Sequence, residues 1–349
     1  MSAGARKASM SDVADLAGVS TMTVSNVINR PEVVSEATRE KVHAAMRELR
    51  YRNNLVARSL RLAQPRQIAY VLPAQDAVGN QYMDAFVHDL AAGCQAVDRN
   101  LTLVADRGTE ALMTACEDLY FGQSAAGFVI SNVGQDDPRP VELRKRGIPF
   151  AAYGRTREAF ASPWSWVEAD AALGIAMAVD HLADRGHREL AFVGANARVV
   201  TMGQREIGYR QACERRGLTS SLARIVACGR DLETGVRVTA DLLDGLLGTD
   251  GATGAVPPTA IVCVSDPLAA GAVITLQGRG LTPGRDVAVT GYDDTTLTSF
   301  GTVGISSVRQ PSAAIAAELV RLVIERPEAP EHLLLPPALV ERSSTDPNA

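Results

Sequence analysis

The stretch from Ser9 to Asn29 constrains this chain more than any other. Ser9-Met10-Ser11-Asp12 resembles a helix-capping box, a serine followed three residues later by an acid, and leads into Val13, Ala14, Leu16 and Ala17 at helical spacing. Gly18-Val19 breaks that pattern, because glycine accepts the positive φ of a tight turn. Ser20 then caps a second helix, Thr21 to Asn29, whose apolar Val24, Val27 and Ile28 recur at three and four. Ala14 lets the two helices cross closely, and Val19 with Val24 fills the angle between them. The pattern is that of a helix-turn-helix.

Its outward face carries Thr21, Met22, Ser25, Asn26 and Asn29, short polar or flexible side chains of the kind that enter a major groove. Asn26 suits adenine and Met22 a thymine methyl. With Ser20 and Thr23 at the helix start, these form the candidate DNA-contact set. A third helix is predicted after Pro31 and a Ser35 cap, running to about Leu49 with Val42, Met46 and Leu49 turned inward.

Charge supports a division of labour. The chain of 349 residues has a net charge of −5, yet residues 1–65 hold ten Lys and Arg against six Asp and Glu, so a basic head precedes an acidic body. Residues 53–60, Asn-Asn-Leu-Val-Ala-Arg-Ser-Leu, suffice for about two helical turns, too few to be stable alone in water. The expected domains are 1–52 for the helix-turn-helix, 53–65 for a hinge helix and linker, and 66–349 for the body.

From Gln67 onward short apolar runs alternate with helical stretches: Ile68–Leu72, Leu101–Val104, Gly127–Ile130, Pro149–Ala152, Glu189–Val193, Thr259–Val264 and Val287–Thr290. Runs apolar on both faces suit parallel strands covered by helices, which predicts two doubly wound α/β lobes. In such sheets ligands bind beyond the carboxyl ends of the strands, so the cleft between the lobes is the expected site.

Several classes are disfavoured. No Walker loop, nucleophile elbow or strand-anchored GxGxxG is present, and neither catalysis nor a cofactor is expected. Cys94, Cys116, Cys213, Cys228 and Cys263 lie far apart, and no His pair has metal-ligand spacing, so reduced, mostly buried thiols and no metal are expected. No run of eighteen apolar residues and no secretory signal is seen, which points to the cytoplasm and away from a membrane.

Met10 through Ser20, Thr23-Val24-Ser25, Val33-Val34-Ser35 and Tyr51 through Leu60 resemble the lactose-repressor (LacI/GalR) family. The likeness continues through Gly154-Arg155, Asp170 with Gly174, His181-Leu182, Arg185-Gly186-His187-Arg188, Arg205 with Gly208-Tyr209, Ser265-Asp266, Gly291-Tyr292-Asp293-Asp294 and Val308-Arg309-Gln310-Pro311. The resemblance implies a small all-α helix-turn-helix domain joined to a two-lobed, periplasmic-binding-protein-like α/β domain of type I. It implies a DNA-binding transcriptional regulator, by default a repressor. A small-molecule effector, a sugar or sugar derivative, would change its affinity for a pseudo-palindromic operator on double-stranded DNA. Relatives that form tetramers carry a C-terminal leucine-rich helix that is not seen after Val340, so a homodimer is expected.

The resemblance also assigns residues. Paired hinge helices enter the minor groove, with Leu60 in the place of the wedging leucine and Asn54, Ala57 and Arg58 beside it; such a wedge unstacks a base step at a cost of a few kcal/mol, recovered by contact and pairing. Asn53 stands where relatives usually have Pro. Arg155, Arg205 and Asp293 fall at effector-contacting positions, and a guanidinium and a carboxylate can each grip vicinal hydroxyls. Asp266 is a further candidate contact to the effector, following Ser265, where Asn is more usual. Tyr82 and Phe86 are candidates for an apolar wall under a sugar ring or, equally, for the core. Arg230 stands where relatives often carry a stacking aromatic, and would either favour an acidic or phosphorylated effector or point to solvent.

Overall fold

A computed structural model of the chain describes residues 8–51, 65–73, 81–156, 159–194, 200–218, 224–245, 257–299 and 301–348. Two compact units divide between Gln64 and Pro65. The expected hinge residues Asn54, Ala57, Arg58 and Leu60 lie outside the described residues.

In the first unit α1 (Met10–Ala17), α2 (Thr21–Asn29) and α3 (Glu36–Glu48) surround one small core. The Ser9 side chain accepts from the Asp12 amide and the Asp12 carboxylate accepts from the Ser9 amide, the reciprocal pair expected. Gly18 ends α1 at φ 65°, in the left-handed region. Val13, Val24 and Val42, one from each helix, are fully buried with Ala14, Val27, Ala45 and Tyr51. Each such valine contributes about 1.5–3 kcal/mol by leaving water. Two details differ from expectation. Leu16 is exposed rather than inward, and the Ser35 hydroxyl meets the Thr38 hydroxyl at 2.9 Å instead of capping a backbone amide.

The second unit contains two six-stranded sheets. The first, ordered β11-β5-β4-β3-β1-β2, comprises β1 (Gln67–Leu72), β2 (Asn100–Ala105), β3 (Ala125–Ser131), β4 (Phe150–Tyr153), β5 (Trp166–Ala169) and β11 (His332–Leu335), with every pairing parallel. Alternation along β1 explains its layers: Ile68 and Tyr70 join the core beneath α4 (Gln81–Ala96) and α11 (Ser312–Glu325), while Ala69 and Val71 join the one beneath α5 (Thr109–Phe121) and α6 (Pro138–Lys145).

The second sheet, ordered β12-β10-β9-β8-β6-β7, comprises β6 (Leu190–Val193), β7 (Ile225–Val226), β8 (Ala260–Cys263), β9 (Ala288–Tyr292), β10 (Ser306–Arg309) and β12 (Ala338–Val340); only β12 runs antiparallel. Around it lie α7 (Ala171–Asp184), α8 (Val200–Arg215), α9 (Leu232–Leu243) and α10 (Asp266–Gly278). Gly208 allows α8 to press against α7, since a Cβ there would lie 2.2 Å from the Ala172 carbonyl oxygen. That approach fixes the helix carrying Thr201 and Arg205.

The chain passes between the lobes at Asp170, at Gln310-Pro311 and at Pro336-Pro337, so both lobes are built from discontinuous segments. Asp170 caps α7 through the Leu173 amide and donates its own amide to Leu335 at 2.9 Å, tying two crossings together. The predicted apolar runs all became strands. β5, β7, β10, β11 and β12 were not foreseen.

Candidate nucleic-acid interface and interlobe site

The exposed side of α2 is held from its first residue. The Ser20 hydroxyl accepts from the Thr23 amide at 3.1 Å and meets the Thr23 hydroxyl at 2.9 Å. Both side chains therefore position the helix start. Val24 and Val27 point into the core, which turns Thr21, Met22 and Asn29 outward and leaves Ser25 and Asn26 partly exposed. Met22 is 69% exposed. The Asn29 amide donates to the Ser25 carbonyl at 2.8 Å, stiffening the end of the face.

In the body the carboxyl ends of the central strands meet across the cleft. Arg205, nearly buried on α8, donates to the Val264 carbonyl at 2.5 Å and lies with its guanidinium carbon 3.5 Å from the centroid of the Tyr292 ring. Its Nη2 approaches Asp293 Oδ1 at 3.5 Å. Asp293 follows β9 at φ 99° and Asp294 follows it at φ 49°, two consecutive non-glycine residues in a strained region. Such strain, worth about 1–3 kcal/mol per residue, is characteristic of binding sites.

A directional hydrogen-bond chain reaches the same carboxylate from the other lobe. The Tyr82 and Tyr153 hydroxyls lie 2.5 Å apart, Tyr153 donates to Gln310 Oε1 at 3.1 Å, and Gln310 Nε2 donates to Asp293 Oδ1 at 2.7 Å. Because Tyr153 spends its one proton on Gln310, Tyr82 is the donor to Tyr153. Burial, the largest cause, raises both phenols, so both are neutral donors. The Arg205 Nε is buried without a hydrogen-bond partner.

Beside this chain sits a second charged pair. Arg155 follows β4 and Glu168 lies on β5; both side chains are buried, with Arg155 Nε 3.2 Å from Glu168 Oε2. Thr201, four residues before Arg205 on the facing lobe, donates to Glu168 Oε1 at 3.1 Å. Burial raises the Glu168 carboxyl, opposed by Arg155 and by the Thr201 bond. At the carboxyl ends of β1, β2 and β3 a cavity of about 340 Å³ is lined by Asp106, Asn132, Asp137 and Arg139 among others.

The site residues read from the sequence divide. Arg155, Arg205 and Asp293 converge on the cleft, and Tyr82 contributes its hydroxyl to the chain. Phe86 takes the core alternative: its ring is fully buried, with its centroid 4.7 Å from that of Tyr153 and 6.1 Å from that of Tyr70. Asp266 is corrected, because it is fully buried with Oδ1 accepting from Ser307 and Oδ2 from the Thr295 amide, both at 2.6 Å. Burial, reinforced by Asp293, pushes its carboxyl up to about 7. Arg230 is exposed, and its carbonyl accepts from the Ser265 hydroxyl at 3.2 Å. The sequence reading missed Glu168, Thr201, Tyr153 and Gln310; Glu168, an acid within an apolar run, was the signal available for the first.

Helix-turn-helix units read DNA, and two-lobed bodies with a polar cleft hold small molecules, so a chain carrying both has the makings of a ligand-governed transcriptional regulator. Comparison with known proteins supports that class. Residues 9–54 match the bacterial regulatory proteins of the lacI family, and residues 179–345 match the periplasmic binding protein-like domain. The HTH-type transcriptional regulator CelR of Thermobifida fusca is 30% identical over 324 residues, covering 92% of each chain. The ribose operon repressor of Escherichia coli strain K12 is 30% identical over 342 residues, 97% of this chain and 99% of that one. Among solved structures, the lac repressor dimer bound to operator and the anti-inducer ONPF aligns with TM-score 0.75 at 26% identity, covering 98% of this chain and all of that one. The chain belongs to the LacI family of bacterial transcriptional regulators. It is a regulator rather than an enzyme.

Proposed function

We propose that this regulator is a cytoplasmic, homodimeric repressor whose hold on a pseudo-palindromic operator is changed by a sugar between the lobes. The observation that carries the reading is the cleft itself, where Arg205 pairs with Asp293 Oδ1 while its Nε is buried without a hydrogen-bond partner. That pairing suits vicinal hydroxyls. A solved relative is a complex of CelR with cellobiose, another is named a ribose operon repressor, and the sugar reading draws on both.

The proposed division is 1–52 for the DNA reader, 53–65 for the hinge and 66–349 for the effector body. Ser20, Thr21, Met22, Thr23, Ser25, Asn26 and Asn29 serve the major groove; Asn54, Ala57, Arg58 and Leu60 serve the minor groove. Ile274 on α10 and Leu232 on α9, 49% and 40% exposed on two helices packed together, support a subunit interface on the second lobe. No helix among the described residues is long and apolar enough to cross a membrane. Effector closing the lobes shifts the population away from the arrangement in which the hinges pair.

The test is selection of a randomised double-stranded library on the full chain at low salt, followed by stoichiometry. A palindromic consensus bound by two chains is expected. Recovery of no sequence above background contradicts the reading.

A further inference from the structure

We infer that Glu168, flanked by Arg155 and faced by Thr201, is a specificity-determining residue that accepts a hydroxyl of an uncharged polyol at Oε2. The inference rests on the sugar reading above and adds residues and a charge preference to it. Glu168 is set on β5, with Trp166 two residues earlier fully buried on the same face, so the carboxylate is anchored by the sheet. Its side chain is 3% exposed. Oε1 is bonded to Thr201 across the cleft, whereas Oε2 is buried and holds no hydrogen bond.

Arg155 does not resolve this. Its Nε lies 3.2 Å from Oε2 without hydrogen-bond geometry and is itself buried and unpartnered. The two charges attract, but a donor and an acceptor remain unused side by side. Buried polar atoms left unpaired are costly, so a group that satisfies both is bound preferentially. A hydroxyl is such a group, donating to Glu168 Oε2 while accepting from Arg155 Nε.

The same arrangement disfavours an anion. Arg155 faces Glu168 and Arg205 faces Asp293, so each of these cleft cations already has its carboxylate. A phosphate would meet no uncommitted cation among them and would lie against the free oxygen of Glu168. Arg230 is exposed and belongs to neither pair.

The test uses full-length wild type, Glu168→Gln, Glu168→Asp and Thr201→Val, with calorimetric titration of cellobiose, D-ribose, D-glucose, D-ribose 5-phosphate and D-glucose 6-phosphate. Because Glu168→Gln leaves Arg155 without its counter-charge, the melting temperature of each ligand-free variant is recorded, and Glu168→Asp keeps the charge while withdrawing the oxygen. Expected is tighter binding of a neutral sugar than of its phosphate, with affinity falling at least about tenfold in Glu168→Gln and measurably in the other two. The monodeoxy analogue lacking the contacted hydroxyl should bind wild type and Glu168→Gln alike. A sugar bound equally by all four proteins overturns this inference and leaves the sugar reading standing, as does tighter binding of a phosphate than of its parent sugar. No binding of any of the five contradicts the sugar reading and this inference with it.

Discussion

The guanidinium of Arg205 rests on the ring of Tyr292, 3.5 Å from carbon to centroid, while its Nη1 donates to the Val264 carbonyl. Stacking and hydrogen bonding together fix the plane of the cation, which leaves Nη2 beside Asp293 and Nε buried without a hydrogen-bond partner. A lysine keeps the charge but has neither the plane nor the fork. Arg205→Lys should therefore lower sugar affinity at least about tenfold, the equivalent of roughly 1.4 kcal/mol, with little change in operator affinity in the absence of sugar. Calorimetric titration beside operator binding separates the two effects.

Asn26 carries the second prediction. It lies on the face of α2 away from Val24 and Val27, where an amide can pair in bidentate fashion with adenine. Asn26→Ala should cost about 1–3 kcal/mol of operator affinity and relax preference at one position of each half-site. Binding to single-base operator variants measures both.

Gly18 carries the third. A Cβ there would touch nothing within 4 Å, so space is not the constraint. Its φ of 65° is, and a side chain in the left-handed region costs about 1–2 kcal/mol. Gly18→Ala in the full chain should speed hydrogen exchange of the α1 and α2 amides roughly 5–30-fold while leaving those of the body unchanged.

Much of the fold was legible because its signals are local. Ser9, Gly18 and Ser20 mark helix ends by their own backbone chemistry, and runs such as Ile68–Leu72 announce strands buried on both faces. β5 and β10 were hidden for the opposite reason. Glu168, Ser306 and Ser307 are polar yet buried, and what makes them tolerable is partners distant in sequence: Arg155 and Thr201 for the first, Arg342, Thr345 and Asp266 for the serines. The cleft residues were legible through the resemblance, which assigned Arg205 and Asp293 by position. Tyr153 and Gln310 act through a chain that crosses lobes, which no local pattern reveals. For Phe86 the core alternative is the one its helix favours, since Tyr82, Phe86, Leu90 and Cys94 form one inward stripe at helical spacing.

Asp266 gives a pH prediction. Its folded carboxyl titrates near 7, raised by burial and by Asp293, against an ordinary value of 3.8 in the unfolded chain. Between these values the folded state holds the extra proton, so this group's contribution to stability is greatest below about pH 4 and is lost as pH rises through 7. Asp266→Asn retains an acceptor for the Thr295 amide without the charge. The stability difference between variant and wild type, followed by denaturant melts from pH 5 to 8, should move in favour of the variant as pH rises.

The central claim is that DNA affinity and cleft occupancy are coupled, and anisotropy of a labelled operator, titrated with the full chain in the absence and in the saturating presence of a sugar that binds the body, tests it most directly. The account predicts that the bound sugar weakens operator affinity about 5–150-fold, the usual range for coupled sites, and that the operator weakens sugar binding by the same factor. Identical operator affinity with the cleft empty and with it filled would contradict the account.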